Sequence, residues 1–381
     1  MVIFCCQNIC AASPIFLWEV IINWQANINR AIFYSFIGEI ETAKAVLNKE
    51  WALLYVGFYL FSIWDSYRTT VDLNNVYKLA AREDAQINPM VVSALGINYL
   101  DKRTPLNAFL WSLFMPGAGQ LYIHRLATAA FILIWLITVF YLSKTLPAIH
   151  YSFTGQFEQA KSVLNIQWLL NLPSAFLFPA YDAYINTVEN NKLYDWEQAK
   201  FLKRQYQSSQ FKMPFQNGKH RGDGMYVLAS FEHSNYLELA ITAVQMKGIP
   251  KENILAAPLD KRGEERKLFD SMHYSDGLSL IDLAMIFGTI LMLLGTIYGF
   301  LWAWGPIWWG LIGLFLGVGL GIGIKLMMTK RNTANRLKAQ KASEVFLIFE
   351  CEKQEAEMIK NILWENHALG VTKLDLTAGA I

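Results

Sequence analysis

The sequence predicts an α-helical membrane protein with about six spans and an interfacial hairpin, plus a cytoplasmic α+β domain that a transmembrane hairpin divides. Three observations carry that expectation. Apolar residues fill 54% of the 381 positions and charged residues only 17%, against roughly 25% charged in an average soluble domain. The first half carries one pattern twice. The second half alternates strand and helix patterns around two long apolar runs.

The repeat emerges on a shift of 117 residues. Tyr34-Ser35-Phe36 and Gly38 then fall on Tyr151-Ser152-Phe153 and Gly155. Asn48 and Trp51 fall on Asn165 and Trp168, and Asp65 and Tyr67 fall on Asp182 and Tyr184. About 20 of the 44 pairs between residues 34–77 and 151–194 are identical, too many for chance, so duplication is expected. The seam between two such copies is a natural binding surface.

Within the first copy, residues 9–29 are apolar but interrupted by Ser13, Pro14, Glu19, Asn23 and Gln25. Such a helix suits packing against protein better than contact with lipid. The matching residues 126–146 read as a clean spanning helix. Second spans are expected at residues 51–70 and 168–188, with a polar segment such as 155–161 capping the outer mouth as a short helix.

Basic residues set the topology. Lys78, Arg82, Lys102 and Arg103 lie in residues 71–104, and Lys192, Lys200, Lys203 and Arg204 follow residue 191. Short basic loops stay in the cytoplasm, so residues 106–122 should not cross. Their apolar stretch is short and Pro116-Gly117 breaks it, which suggests the interfacial hairpin.

Beyond a linker at residues 206–224, residues 225–231 alternate as a strand. Ser234 caps a helix that ends near Gly248, and residues 253–258 form another strand. The pattern returns as a strand at 345–351, a helix at 353–367 and a strand at 371–376. Together they sum to a split βαββαβ, or ferredoxin-like, sandwich. Between its halves lie apolar runs at 278–304 and 307–328, joined by Gly305-Pro306 and flanked by Lys261, Arg262, Lys330 and Arg331. The expected divisions are 1–86, 87–205, 206–224, 225–277, 278–328 and 329–381.

The four cysteines, Cys5, Cys6, Cys10 and Cys351, show neither zinc-ligand spacing nor evidence of disulfides. Packing is the favoured role of the first three, lipidation the next. The N-terminus lacks the basic stretch of a removable signal peptide. A net charge of +2 gives no reason to expect nucleic acid.

The sharpest local motif is Pro116-Gly117-Ala118-Gly119-Gln120-Leu121-Tyr122, whose glycines permit a tight turn and close backbone approach. Followed by a spanning helix and then by Asp182 near the end of another, it resembles the bacterial TM-two-type membrane domain. The residues that carry the likeness are Pro116, Gly117, Gly119, Gln120, Tyr122 and Asp182, and His124 stands where that family often has glycine. The resemblance implies a helical membrane module and no established activity. The C-terminal half is similar to bacterial stress-associated membrane proteins of the general-stress type, through a hairpin carrying Gly310, Gly313, Gly317, Gly319, Gly321 and Gly323.

Asp65 and Asp182 each follow the repeated tryptophan by 14 residues, roughly 21 Å along a helix. They read either as paired carboxylates for a cation or as helix-end groups bonded locally, and the local role is favoured. His124 and Arg125 suit interfacial anchoring more than a lipid-phosphate site. The ridge Gly313, Gly317, Gly319, Gly321 and Gly323 indicates close helix packing, within the hairpin or between subunits. No P-loop, zinc-protease helix, nucleophile elbow or C-x-x-C pair occurs, and neither a cofactor nor a catalytic residue is expected.

The expected function is a non-enzymatic anchor or assembly subunit of the bacterial inner membrane. Its partners would be the bilayer and a protein or second copy, engaged through the cytoplasmic domain and the glycine ridge. The alternative is a transporter or channel-like protein with an ion site at the seam. A lipid-directed enzyme using His124 and Arg125 ranks third.

Overall fold

The computed structural model describes residues 16–80, 100–207, 211, 215–216, 219–220, 225–259, 282–332 and 344–375. The expectations for Cys5, Cys6, Cys10, Arg82, Lys261, Arg262 and most of the linker at 206–224 lie outside them. The chain divides into two compact units: residues 1–190 with 272–333, and residues 191–271 with 334–381.

The first unit is helical. Its helices are α1 (16–26), α2 (Ile28–Phe36), α3 (Ile40–Val46), α4 (Lys49–Ala80), α5 (Pro105–Phe114), α6 (Ala118–Tyr122) and α7 (Leu126–Ser143). They continue as α8 (Thr145–Phe153), α9 (Phe157–Val163), α10 (Ile166–Leu169) and the first part of α11 (Leu172–Tyr206). α13 (Asp282–Tyr298) and α14 (Gly305–Asn332) complete the unit.

Helix boundaries recur at the 117-residue shift. Asn27 and Lys144, both left-handed at φ 55° and 60°, separate α1 from α2 and α7 from α8. Gly38 and Gly155 take φ 90° and 78°, a conformation that glycine reaches without steric cost. The Glu39 amide donates to the Tyr34 carbonyl at 2.9 Å, and the Gln156 amide to the Tyr151 carbonyl at 2.8 Å. Asn48 and Asn165 each accept a backbone amide two residues on through their side-chain oxygen, both at 3.1 Å. The copies part where α4 runs unbroken for 32 residues. The corresponding stretch stops at Leu169 and restarts at Leu172, beside Pro173, which has no amide hydrogen to continue a helix.

The expectation of about six spans is overturned. Among the described residues two helices are long and apolar enough to cross a bilayer, Leu126–Ser143 and Gly305–Ile324. With 18 and 20 residues they extend about 27 and 30 Å at 1.5 Å per residue. Each other expected span meets a physical obstacle. Asn27 ends α1, of which 11 helical residues are described, and α13 has 17 described residues. α4 mixes Asp65 and Arg68 into its apolar run, while α11 carries Pro179, Asp182 and Asn186. Residues 106–122, which were expected not to cross, form α5 and α6, helices of 10 and 5 residues folded on each other.

The second unit has β3 (Met225–Phe231), α12 (Asn235–Met246), β4 (Ile254–Pro258), β5 (Val345–Cys351), α15 (Ala356–Glu365) and β6 (Gly370–Asp375). A separate two-residue ladder pairs β1 (Phe215–Gln216) with β2 (Lys219–His220). The four-stranded sheet runs β4-β5-β3-β6, antiparallel throughout. β5 therefore separates β3 from β4, and α12 crosses between those two strands. Side-chain alternation sets the register. Val227, Ala229 and Phe231 lie opposite Phe349, Leu347 and Val345, and all six are buried. Ile254 and Ala256 extend this face, and Leu237, Ile241, Val244, Ile359 and Leu363 of the two helices close over it. Leu202 and Tyr206 at the end of α11 join the same core.

Candidate functional site

The first unit gathers its polar groups where α6 wedges between α5 and α11. Gly117 turns the chain at φ 97°. Gly119 allows the approach itself, because a Cβ there would stand 2.3 Å from the Ala108 carbonyl oxygen and 2.7 Å from the side chains of Ala183 and Ser112. Only a residue without a side chain fits.

That approach buries Gln120 completely. Its Nε2 donates to the Pro179 carbonyl at 2.8 Å and to Asp182 Oδ2 at 2.9 Å, and its Oε1 accepts from Ser112 Oγ at 3.2 Å. Asn186 Nδ2 donates to Asp182 Oδ1 at 2.7 Å and to the Asp182 carbonyl, also at 2.7 Å. Both carboxylate oxygens thus have a neutral donor, which removes the desolvation penalty of an unmatched acceptor. The arrangement is a closed hydrogen-bond cluster. It offers neither a nucleophile–base pair nor an open coordination position.

The remaining expected residues are placed apart from it or at its edge. His124 sits at φ 59° with its Nε2 3.4 Å from an Arg103 nitrogen. Arg103 pairs with Asp101 at 2.9 Å and lies over the Tyr122 ring at 5.2 Å. The buried Arg125 starts α7, and its amide donates to the Gln120 carbonyl at 2.8 Å. Asp65 pairs with Arg68 on its own helix at 3.2 Å, and that guanidinium covers the Trp64 ring at 5.0 Å. The two matched carboxylates have separate partners, Arg68 for Asp65 and Gln120 with Asn186 for Asp182.

The glycine ridge splits between two faces of α14. Cβ atoms at Gly313, Gly317 and Gly321 would stand 2.1 Å from Leu291 O, 2.3 Å from Phe287 O and 2.4 Å from Ala284 Cα, all on α13. Gly319 and Gly323 meet nothing within 4 Å.

One polar network went unforeseen. Gln167 Nε2 donates to the backbone oxygen of Asn23 at 2.9 Å and to its Oδ1 at 2.8 Å, while Gln167 Oε1 accepts the Arg30 amide at 3.0 Å. Asn29 Nδ2 donates to the Gln167 carbonyl at 2.9 Å. The network ties α1 and α2 to α10 across 144 residues of sequence. Its signal was the run of polar interruptions at Glu19, Asn23 and Gln25, whose partner the sequence did not name.

Among the described residues no group of three or more His, Cys, Asp or Glu side chains converges on one point. Set against protein-family models, curated proteins and solved structures, the chain matches none of them.

Proposed function

We propose that this chain is a non-enzymatic membrane anchor and assembly subunit. The observation that carries the reading is the contrast between two matched helices. On α11, Leu177, Ala180, Tyr181 and Tyr184 pack against the α13–α14 hairpin and Phe109. The matching positions on α4 are Leu60, Ile63, Trp64 and Tyr67, and all four are exposed, Leu60 to 62% and Tyr67 to 71%. A duplicated body that covers one copy of a helix with its own hairpin and leaves the other bare offers a place for a neighbouring chain.

Other features agree. The sheet unit reads as a ferredoxin-like domain, and β6 has a free edge among the described residues, suited to strand addition. The membrane assignment rests on α7 and α14. The basic residues Lys325, Lys330 and Arg331 at the end of α14 favour a multi-pass inner-membrane protein with the sheet unit in the cytoplasm. The resemblance to the TM-two-type domain supports a membrane module, and the Gln120–Asp182 bond gives its motif residues a shared structural purpose. A transporter with an ion site at the seam draws no support from carboxylates that have separate partners.

Photo-crosslinking in native membranes tests the reading. A benzophenone side chain at Leu60 or Tyr67 should yield one discrete protein adduct. The same group at Phe178, exposed on α11, serves as the control. Adducts to lipid alone from both α4 positions would overturn the proposal.

A further inference from the structure

We propose that the cleft between α1 and the α10–α11 turn binds a primary ammonium group. Glu19, Asn23, Trp24, Gln167, Trp168 and Asn171 line it, and the space between them is about 10 Å³, room for one water-sized group. Room of that size takes a single ammonium group and not a nucleotide or sugar.

Charge comes first. Glu19 is half-buried, its polar neighbours are the Asn23 amide and Tyr55, and among the described residues no basic side chain pairs with it. A carboxylate so placed loses hydration, and a cation restores what it loses. The walls are aromatic. Trp24 and Trp168 stand 6.3 Å apart between ring centroids with a 49° tilt, and Trp135 backs Trp168 at 6.3 Å. Indole faces attract ammonium groups.

The acceptors narrow the class further. Asn23 Oδ1 and Gln167 Oε1 are already engaged. Asn171 spends its amide nitrogen on the backbone oxygens of Gln167 and Trp168, at 3.4 and 3.3 Å, leaving its side-chain oxygen to accept from a ligand. One carboxylate and one amide oxygen are too few for a calcium ion, which takes about six to eight oxygens. A quaternary ammonium would leave the Asn171 oxygen without a donor. A primary ammonium matches the carboxylate, the rings and the amide together.

The other copy sharpens the inference. Glu19 and Asn23 match Leu136 and Phe140, which are apolar. The local helix geometry is therefore reached without a carboxylate, and folding alone does not require one at Glu19.

The full chain in lipid-free detergent, titrated with methylammonium at constant ionic strength, provides the test. Saturation transfer to the ligand methyl protons should be saturable. It should weaken about tenfold in Glu19→Gln and about threefold in Trp24→Leu, a substitution at a half-exposed ring that keeps the fold. Tetramethylammonium and potassium should compete poorly. No saturable transfer, equal affinity in both variants, or equal competition by potassium would overturn the proposal. Should Glu19→Gln fail to fold, Trp24→Leu decides. Native mass spectrometry from nanodiscs then separates the sources. An ethanolamine phospholipid kept by the wild type and lost in Trp24→Leu assigns a lipid headgroup. Methylammonium binding without such retention assigns a soluble amine.

Discussion

The amide of Gln120 donates to the carboxylate of Asp182 at 2.9 Å, joining two residues 62 positions apart in sequence. Asp182 has a local partner in Asn186, one turn on, but the Gln120 amide finds its acceptors only across the fold. Gln120 is fully buried, and Asp182 lies among Ala180, Ala183 and the tyrosines of α11. The bond explains why glutamine rather than an apolar residue follows the turn: it supplies two donors to two acceptors, Pro179 O and Asp182 Oδ2. Replacing Gln120 by Leu leaves the carboxylate oxygen unmatched and should cost about 1–3 kcal/mol. Combined with Asp182→Ala the losses should be less than additive, because each single change already breaks the same bond. Thermal melts of the four proteins, followed by helical circular dichroism, provide the measurement. Full additivity would mean the two residues act independently.

Within the hairpin, alanine at Gly317 and at Gly319 should behave oppositely. At Gly317 the new methyl meets backbone on α13, which cannot yield, and overpacking of this kind costs about 1–3 kcal/mol. At Gly319 it meets open space, so better helix propensity leaves the protein unchanged or slightly more stable. Equal melting temperatures for the two variants would contradict this placement of the helices.

Sequence reading reached further in the sheet unit than in the helical one, for a physical reason. Strand faces alternate every two residues, and in β5 Val345, Leu347, Phe349 and Cys351 are buried while the residues between them are not. An apolar run says only that it is apolar. Residues 9–29 and 168–188 resembled spans by composition, yet Asn27 turns left-handed and Pro173 lacks a donor, so the helices stop. In the site, the turn at Gly117 was legible and Gln120 and Asp182 stood out as polar residues, whereas their mutual contact was not legible. A hydrogen bond spanning 62 residues leaves no spacing signature. The same holds for Gln167, whose partners Asn23 and Asn29 lie in the other copy.

Cys351 should resist alkylation until the sheet unit opens. It is buried in the core, its thiol donates to the Met225 carbonyl at 3.6 Å, and burial, with Glu355 and Glu350 adding to it, pushes its pKa from 9.0 to about 11. The neutral thiol is a poor nucleophile. A folded-state pKa above the unfolded one means this group's contribution is complete below pH 9 and disappears as pH rises towards 11. With Cys5, Cys6 and Cys10 replaced by serine, iodoacetamide at pH 8 should label the protein only in denaturant. Cys351→Ala should reduce the loss of stability between pH 9 and 11. Rapid labelling of the folded protein at pH 8 would contradict this burial.

On the acid side, the exposed Glu357 accepts a hydrogen bond from Lys373, which holds its carboxyl below the ordinary value of 4.5. A lowered folded pKa contributes stability above the unfolded value, and that stability is lost as pH falls below 4.5. Glu357→Gln should therefore lower the melting temperature slightly at pH 7 and leave it unchanged at pH 3. An equal shift at both values would assign the effect to packing.

Matched substitutions in the two copies test how far shared sequence means shared energetics. Gly38 and Gly155 hold φ 90° and 78° with open space around each, so alanine at either position introduces backbone strain without a clash. The cost should be about 1 kcal/mol at both. Asn48 and Asn165 each hold the amide two residues on at 3.1 Å, and loss of such a cap costs about 1 kcal/mol as well. The Asn165 cap, however, also fixes the backbone of Gln167, whose side chain joins α10 to α1. Glu50, the match of Gln167, makes no such bridge among the described residues. Asn165→Ala should accordingly lower the melting temperature more than Asn48→Ala, while the two glycine variants stay equal. A larger effect at Asn48, or unequal glycines, would show that the copies bear load in some other way than through Gln167.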